Sequence, residues 1–179
     1  MTLELVYRAA TVEDAVKLSI LYKTVYIQTY GTEGVSDEFA NFIVRQFAVD
    51  RLRSILELQP GNIIVASYKN NLVGVAEIEF NKRCPVGNLV APELNKLYIL
   101  DWFCGKGIGY NLMRLAEARV RQQGERQMWL WVLETNRRAV DFYHRQGYRD
   151  IGKASFQMEV NSYMNDVMIK QLSDNAAMR

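Results

Sequence analysis

Histidine and cysteine are scarce in this chain of 179 residues: one histidine, His144, and two cysteines, Cys84 and Cys104. The two thiols stand far apart with no C-x-x-C spacing, and with a single imidazole they make no conventional zinc site, so no metal is expected. No nucleophile-elbow pattern accompanies His144, which removes the usual signature of a serine hydrolase. Charge of one sign is also lacking. The net charge is only +2, and no run of Lys and Arg forms a basic stripe, which argues against a nucleic-acid partner. No apolar stretch reaches the length of a membrane span, so no membrane partner is expected either. Met1-Thr2-Leu3-Glu4 does not read as a signal peptide, and isolated cysteines suit a reduced, cytoplasmic setting.

What remains is an ordinary globular composition, 49% hydrophobic and 23% charged, long enough for a proper core. Residues 1–179 read as one domain, without repeats or low-complexity linkers. Leu3 to Arg8 reads as a strand. Thr11 with Asp14 resembles a capping box for a helix reaching about Gln28. Ser36 opens a second helix, and Asp50 caps a third that ends before Pro60. Asn62 to Tyr68 and Leu72 to Phe80 are strands joined at Asn70-Asn71, with a loop from Asn81 to Val90 behind them. Strand, helix, strand, helix and a closing hairpin follow from Glu93 onward.

The most informative stretch is Cys104-Gly105-Lys106-Gly107-Ile108-Gly109. Leu94 to Leu100 before it reads as a strand. Ile108, Leu112, Leu115, Ala116 and Val120 after it recur at helical spacing. A glycine-rich turn from strand to helix lets backbone N–H groups converge on an anion at the helix N-terminus. It is not a P-loop, because Lys106 is followed by Gly107 rather than Ser or Thr. It is not the dinucleotide fingerprint, which would need glycine at Tyr110 or Leu112. The plain alternative is a tight loop before a helix.

A second block lies about thirty residues further on. The apolar run Met128-Trp129-Leu130-Trp131-Val132-Leu133 is followed by Asn136-Arg137-Arg138-Ala139-Val140-Asp141-Phe142-Tyr143-His144-Arg145-Gln146-Gly147-Tyr148. Ala139, Val140, Phe142 and Tyr143 cover one helical face, and Gly147 sits at a C-cap position. The two blocks, in this order and at this separation, resemble the GNAT superfamily of acyl-CoA-dependent N-acetyltransferases. Residues 104–109 fit the family's [QR]-x-x-G-x-[GA] motif except at Cys104, which replaces a long polar side chain. Asn136 to Tyr148 fits N-x-x-A-x-x-F-Y-x-x-x-G-[FY] at every fixed position. Thr29-Tyr30-Gly31, residues 47–52, and the tail patterns at 152–158 and 165–170 further resemble the spermine/spermidine-acetylating branch.

The resemblance implies an α/β fold with a mixed, mostly antiparallel sheet, helices on its flanks, and a splayed parallel strand pair at the cofactor site. It implies acetyl-CoA as cosubstrate, without a metal. The pyrophosphate would sit on Cys104, Gly105, Lys106, Gly107, Ile108 and Gly109, and the pantetheine arm along Leu97, Tyr98 and Ile99 as an added strand. Asn136 matches the residue that contacts that arm, although asparagine is also a good helix N-cap. Tyr143 matches the general acid that serves the leaving thiolate; its alternative is a core residue of the helix. His144, the next residue, points elsewhere. Glu93 falls where family members carry a base for the incoming ammonium, with a solvated strand-end carboxylate as the alternative. Glu77 and Glu79 compete for that role or for binding a cationic substrate, and the Leu97 N–H is the candidate oxyanion donor.

An acetyltransferase acting on a small-molecule primary amine is the leading reading, with polyamines suggested by the branch resemblance and by Glu33, Asp37, Glu38, Glu77, Glu79 and Glu93. The alternatives are a CoA-binding regulatory module without catalysis and an enzyme acting on protein or peptide amines. Homodimerisation through the helices around Phe39 to Leu58 is compatible with each of them.

Overall fold

Strand β1 (Leu5–Ala9) leads through a 3-10 turn, Val12–Asp14, into α1 (Ala15–Tyr30). Helices α2 (Asp37–Gln46) and α3 (Val49–Leu58) precede β2 (Ile63–Tyr68), β3 (Asn71–Arg83) and β4 (Val90–Ile99). A second 3-10 turn, Asp101–Phe103, opens towards α4 (Ile108–Gln122). Then come β5 (Gln127–Leu133), α5 (Arg137–Arg145), β6 (Arg149–Gln157) and β7 (Ser162–Gln171). The computed structural model describes residues 4–173, so the expected strand start at Leu3 and the reading of Met1-Thr2-Leu3 lie outside the described residues.

The strands form one sheet in the order β1-β2-β3-β4-β5-β7-β6. The pairs β1–β2, β2–β3, β5–β7 and β6–β7 are antiparallel, whereas β4 and β5 run parallel with Glu93 opposite Trp129. This is the mixed, mostly antiparallel sheet flanked by helices that the sequence implies. Among the described residues no helix is long and apolar enough to cross a membrane.

Local chemistry explains where several elements begin and end. The Ser36 hydroxyl accepts the Phe39 N–H at 3.2 Å and caps α2, with Asp37 and Glu38 in the first turn, where carboxylates suit the helix dipole. The Asp14 carboxylate accepts the Thr11 N–H at 3.0 Å and a two-point contact from Arg8 at 2.6 and 2.9 Å. The Arg8 guanidinium holds that carboxyl well below the usual carboxylate range.

Three expected boundaries move. The β2–β3 turn is Lys69-Asn70, not Asn70-Asn71: both residues have positive φ, 49° and 64°, and Tyr68 pairs with Asn71. Two left-handed residues match the twist of a tight hairpin, which asparagine tolerates and which lysine here follows. The third helix is entered at Ala48; Asp50 lies inside it and pairs with Arg53 at 3.0 Å. Strand β3 continues three residues past Phe80, and the loop behind it shortens, because the Cys84 N–H finds the Leu89 carbonyl at 2.9 Å.

The chain divides into two compact units, Met1–Glu77 with Lys96–Ala116, and Ile78–Asn95 with Glu117–Arg179. In the first, Leu18, Tyr22, Phe47, Leu52, Ile63, Ile108 and Leu112 are buried, and the Ser19 hydroxyl donates to the Phe47 carbonyl at 2.5 Å. In the second, Cys84, Ala91, Trp129, Val167 and Ile169 form a core cluster, and the Trp129 indole N–H donates to the Ala91 carbonyl at 3.0 Å.

Gly74 on β3 decides how closely α4 approaches the first unit's strands. A Cβ at this position would meet Ile108 Cγ2 and Leu112 Cδ1 at 3.2 Å and the Tyr98 carbonyl oxygen at 3.3 Å. Gly74→Val is therefore expected to destabilise by about 1–3 kcal/mol through overpacking, with Gly74→Ala costing less. Urea midpoints measure this. A valine variant as stable as wild type would mean that the helix can lift away without cost.

Candidate active site

The turn between β4 and α4 is tied down bond by bond. The Leu100 N–H donates to the Val73 carbonyl at 3.0 Å, the Phe103 N–H to Leu100 at 2.8 Å, and the Cys104 N–H to Asp101 at 3.0 Å. Gly105 and Gly107 then take φ of 76° and 77°, the left-handed region where a side chain costs roughly 1–2 kcal/mol. No atom lies within 4 Å of the Cβ position at either glycine, so the space over the turn is open. The Gly107 carbonyl accepts the Asn111 N–H at 3.1 Å, which makes Gly107 the entry to α4. The N–H groups of the helix's first turn have no partners within the helix and point out of its N-terminus with the positive end of its dipole. The residues fit a pyrophosphate: open space at Gly105 and Gly107, beside the backbone donors of a helix N-terminus.

The side chains on the turn face away from that role. The Lys106 ammonium donates to the Trp102 carbonyl and lies 5.1 Å from the centre of the Phe103 ring. The half-buried Cys104 thiol lies 3.8 and 3.7 Å from the carbonyl oxygens of Ile99 and Leu100. A short thiol there packs onto the strand end, and the turn keeps its shape without the long polar side chain of the family pattern. Leu97, Tyr98 and Ile99 run directly into this turn at the end of β4.

In the second unit, α5 is capped at both ends by the residues that stand out in the sequence. The Asn136 side chain accepts the Ala139 N–H at 3.2 Å. Gly147 has φ of 87°; its N–H donates to the His144 carbonyl at 2.9 Å, and the Tyr148 N–H reaches back to the Tyr143 carbonyl at 3.1 Å. This pair of bonds is a Schellman motif, and its accompanying apolar contact is the Tyr143–Tyr148 ring pair, 5.8 Å apart and edge to face. Tyr143 is buried, 8% exposed, with the Phe142 ring 5.4 Å away. Helix cap and ring packing together fix where its phenol stands. His144 is on the surface, 2.9 Å from Asp150.

Glu93 is not a solvated strand-end group. It is 7% exposed, within β4, and close enough to Cys84 that its charge adds to burial in pushing that thiol up. Glu77, 3% exposed, accepts the Tyr22 hydroxyl at 2.5 Å and the Lys96 ammonium at 2.8 Å, so both of its oxygens are engaged inside the first unit. Glu79 is bonded to Asn95 and pairs with Lys82 at 2.7 Å. Glu33 and Asp37 are exposed. Sequence reasoning passed over Tyr22 and Lys96; the signal was a lone lysine inside the apolar run Leu94 to Leu100. Among the described residues no group of three His, Cys, Asp or Glu could hold a metal ion.

The model of the acetyltransferase (GNAT) family matches residues 26–148. The chain belongs to this family. It is accordingly an acetyl-CoA-dependent acyltransferase. An uncharacterized N-acetyltransferase of Mycobacterium bovis is 26% identical over 136 residues, spanning 76% of this chain and 83% of its own length. Another, from Archaeoglobus fulgidus, is 27% identical over 70% of this chain and 82% of its own length. Among solved structures, the PaiA N-acetyltransferase of Thermoplasma acidophilum in complex with coenzyme A superposes with a TM-score of 0.71 at 19% identity, covering 94% of this chain and 99% of that one. YncA from Salmonella typhimurium, a putative acetyltransferase solved with its cofactor acetyl-CoA, gives a TM-score of 0.69 at 15% identity over 98% of both chains. At these identities the structural likeness speaks for the fold.

Gly107→Glu is expected to abolish acetyl-CoA binding, because it strains a left-handed position and sets a negative charge against the phosphates. Gly107→Ala carries the strain alone and should weaken binding without abolishing it. Calorimetry in the presence of a chelator measures both, and wild-type binding is expected to survive chelation. Tight binding by the glutamate variant would place the phosphates elsewhere.

Proposed function

We propose that the protein transfers the acetyl group of acetyl-CoA to a small primary amine, with polyamines as the acceptor class. The observation that carries the reading is the open turn at Gly105 and Gly107 heading α4, in a chain matched by the acetyltransferase family over residues 26–148. Bound acetyl-CoA supplies an acetyl group activated as a thioester, whose C–S bond breaks as the amine's C–N bond forms.

Each residue then has one task. Residues 104–109 bind the pyrophosphate through backbone N–H groups, and Leu97, Tyr98 and Ile99 line the pantetheine arm with backbone groups, the Leu97 N–H serving the developing oxyanion. Asn136 offers the amide protons that its capping oxygen leaves over. Tyr143 donates a phenolic proton to the leaving thiolate, since an ordinary phenol is protonated at neutral pH. Glu93 accepts the proton that the ammonium must lose before it can attack. Its place within β4, in the strand that runs into the glycine turn, supports this role.

The branch resemblance at residues 29–31, 47–52, 152–158 and 165–170 supports a polyamine acceptor. With Glu77 held by Lys96 and Tyr22, attraction of a polycation falls to the more exposed carboxylates, among them Glu33, Asp37 and Glu79.

Tyr143→Phe is expected to lower kcat by about tenfold or more with acetyl-CoA affinity near wild type, because it deletes one proton donor and little volume. Steady-state kinetics beside calorimetry separates the two quantities; unchanged kcat would make Tyr143 structural. For the acceptor, spermidine and spermine are compared with a lysine peptide, an amino sugar and an aminoglycoside by product mass at two ionic strengths. Polyamine turnover is expected to lead the panel and to fall with salt, as Coulomb steering does. Turnover of any other amine with neither polyamine acetylated would refute the acceptor class and leave acetyl transfer standing.

A further inference from the structure

Within the first unit, Tyr22, Glu77 and Lys96 form a buried polar knot. The Tyr22 hydroxyl donates to one Glu77 oxygen at 2.5 Å, and the Lys96 ammonium donates to the other at 2.8 Å. The same ammonium lies 5.3 Å from the centre of the Tyr22 ring. All three residues are buried, at 0%, 3% and 8% exposure. Charges taken this far out of water are costly, and apolar residues of like volume would serve stability as well or better. An arrangement of this kind fixes geometry.

The geometry it fixes is on β4. Lys96 and Tyr98 stand two apart and share a face of the strand. Tyr22 touches both, Lys96 through the cation over its ring and Tyr98 through an edge-to-face contact at 5.8 Å and 83°. Leu97 lies between them. The residues on either side of it thus rest on one aromatic ring, while the Glu77 carboxylate is bonded to that ring's hydroxyl and to the ammonium. Glu77 itself is carried on β3 opposite Ile63 of β2, so the knot is referred to central strands.

We propose that the Tyr22–Glu77–Lys96 knot is a positioning device that sets the backbone of Leu97, Tyr98 and Ile99 for the acyl donor, without any of its three members touching the reacting atoms. This rests on the acyltransferase reading of that segment. The knot thereby removes Glu77 from the carboxylates available as base or as substrate anchor and gives it a different task.

The test is the double variant Glu77→Leu/Lys96→Met, which replaces the pair by apolar groups and leaves no charge stranded. It is expected to melt close to wild type. Amide hydrogen exchange at residues 97–99, measured on the protein alone, should be clearly faster. Coenzyme A affinity and kcat should each fall by about tenfold or more, as a slight misplacement of a positioned group produces. Should the double variant fail to fold, Tyr22→Phe, which deletes one hydroxyl, and Lys96→Arg, which keeps the charge and alters its reach, are read in the same way. Wild-type exchange at residues 97–99 in the folded variants overturns the proposal, whatever happens to activity. Failure of the wild-type protein to bind coenzyme A would instead fall on the acyltransferase reading, and the exchange measurement would still decide the role of the knot.

Discussion

The close approach of α4 to Gly74 is the constraint on which the candidate phosphate site depends. Ile108 and Leu112, the first and fifth residues of that helix, rest where any side chain at position 74 would be. The missing Cβ lets the helix start sit low against the end of β4. The strand end and the helix start are then only as far apart as residues 100–107 can bridge, and the bridge must turn sharply. That demand is met by a 3-10 turn and two left-handed glycines. An open, donor-lined turn is thus what remains when a strand and a helix are packed this tightly and joined this briefly.

The second motif has a different physical content. Of its fixed positions, Asn136 caps one end of α5, Gly147 ends it in a left-handed residue, and Tyr148 packs back on Tyr143. These are the requirements of a short helix that must hold its place, since nine residues gain little from propensity alone. The Asn136 cap contributes about 1 kcal/mol to that end. The phenol of Tyr143 is therefore delivered to a set position by the same bonds that terminate the helix. The Asn136 oxygen accepts the capping bond, in which its amide protons take no part.

Features set by neighbours in sequence were readable from the residues. The two glycine-containing blocks, the Ser36 cap, the sheet-forming runs and the closing hairpin all follow from local spacing or turn chemistry. What escaped was decided over distance. Asp50 looks like a cap, but the chain enters α3 two residues earlier, with Ala48 as the N-cap residue. The hairpin turn fell on Lys69-Asn70 because the register between β2 and β3 is set along both strands, and lysine accepts the left-handed position that this register imposes. Glu77 and Lys96 are nineteen residues apart and Tyr22 is fifty-five from Glu77, so no pattern along the chain joins them. Glu93 stands in the sequence as a candidate base or a solvated group, and only the fold reveals that it is buried.

Burial separates the carboxylates of this chain into groups with different physical possibilities. Glu77 has each oxygen hydrogen-bonded to a buried donor, and its charge is already balanced by Lys96. Glu93 is buried too, and its charge adds to the burial that pushes the nearby Cys84 thiol up. Exposed carboxylates such as Glu33 and Asp37 act on a cation only through water, weakly and over a distance that salt shortens. Proton acceptance at a reacting amine asks for a group whose charged form is held uneasily, and long-range attraction asks for groups that stay charged. Burial sets Glu93 on one side of that division and the exposed Glu33 and Asp37 on the other.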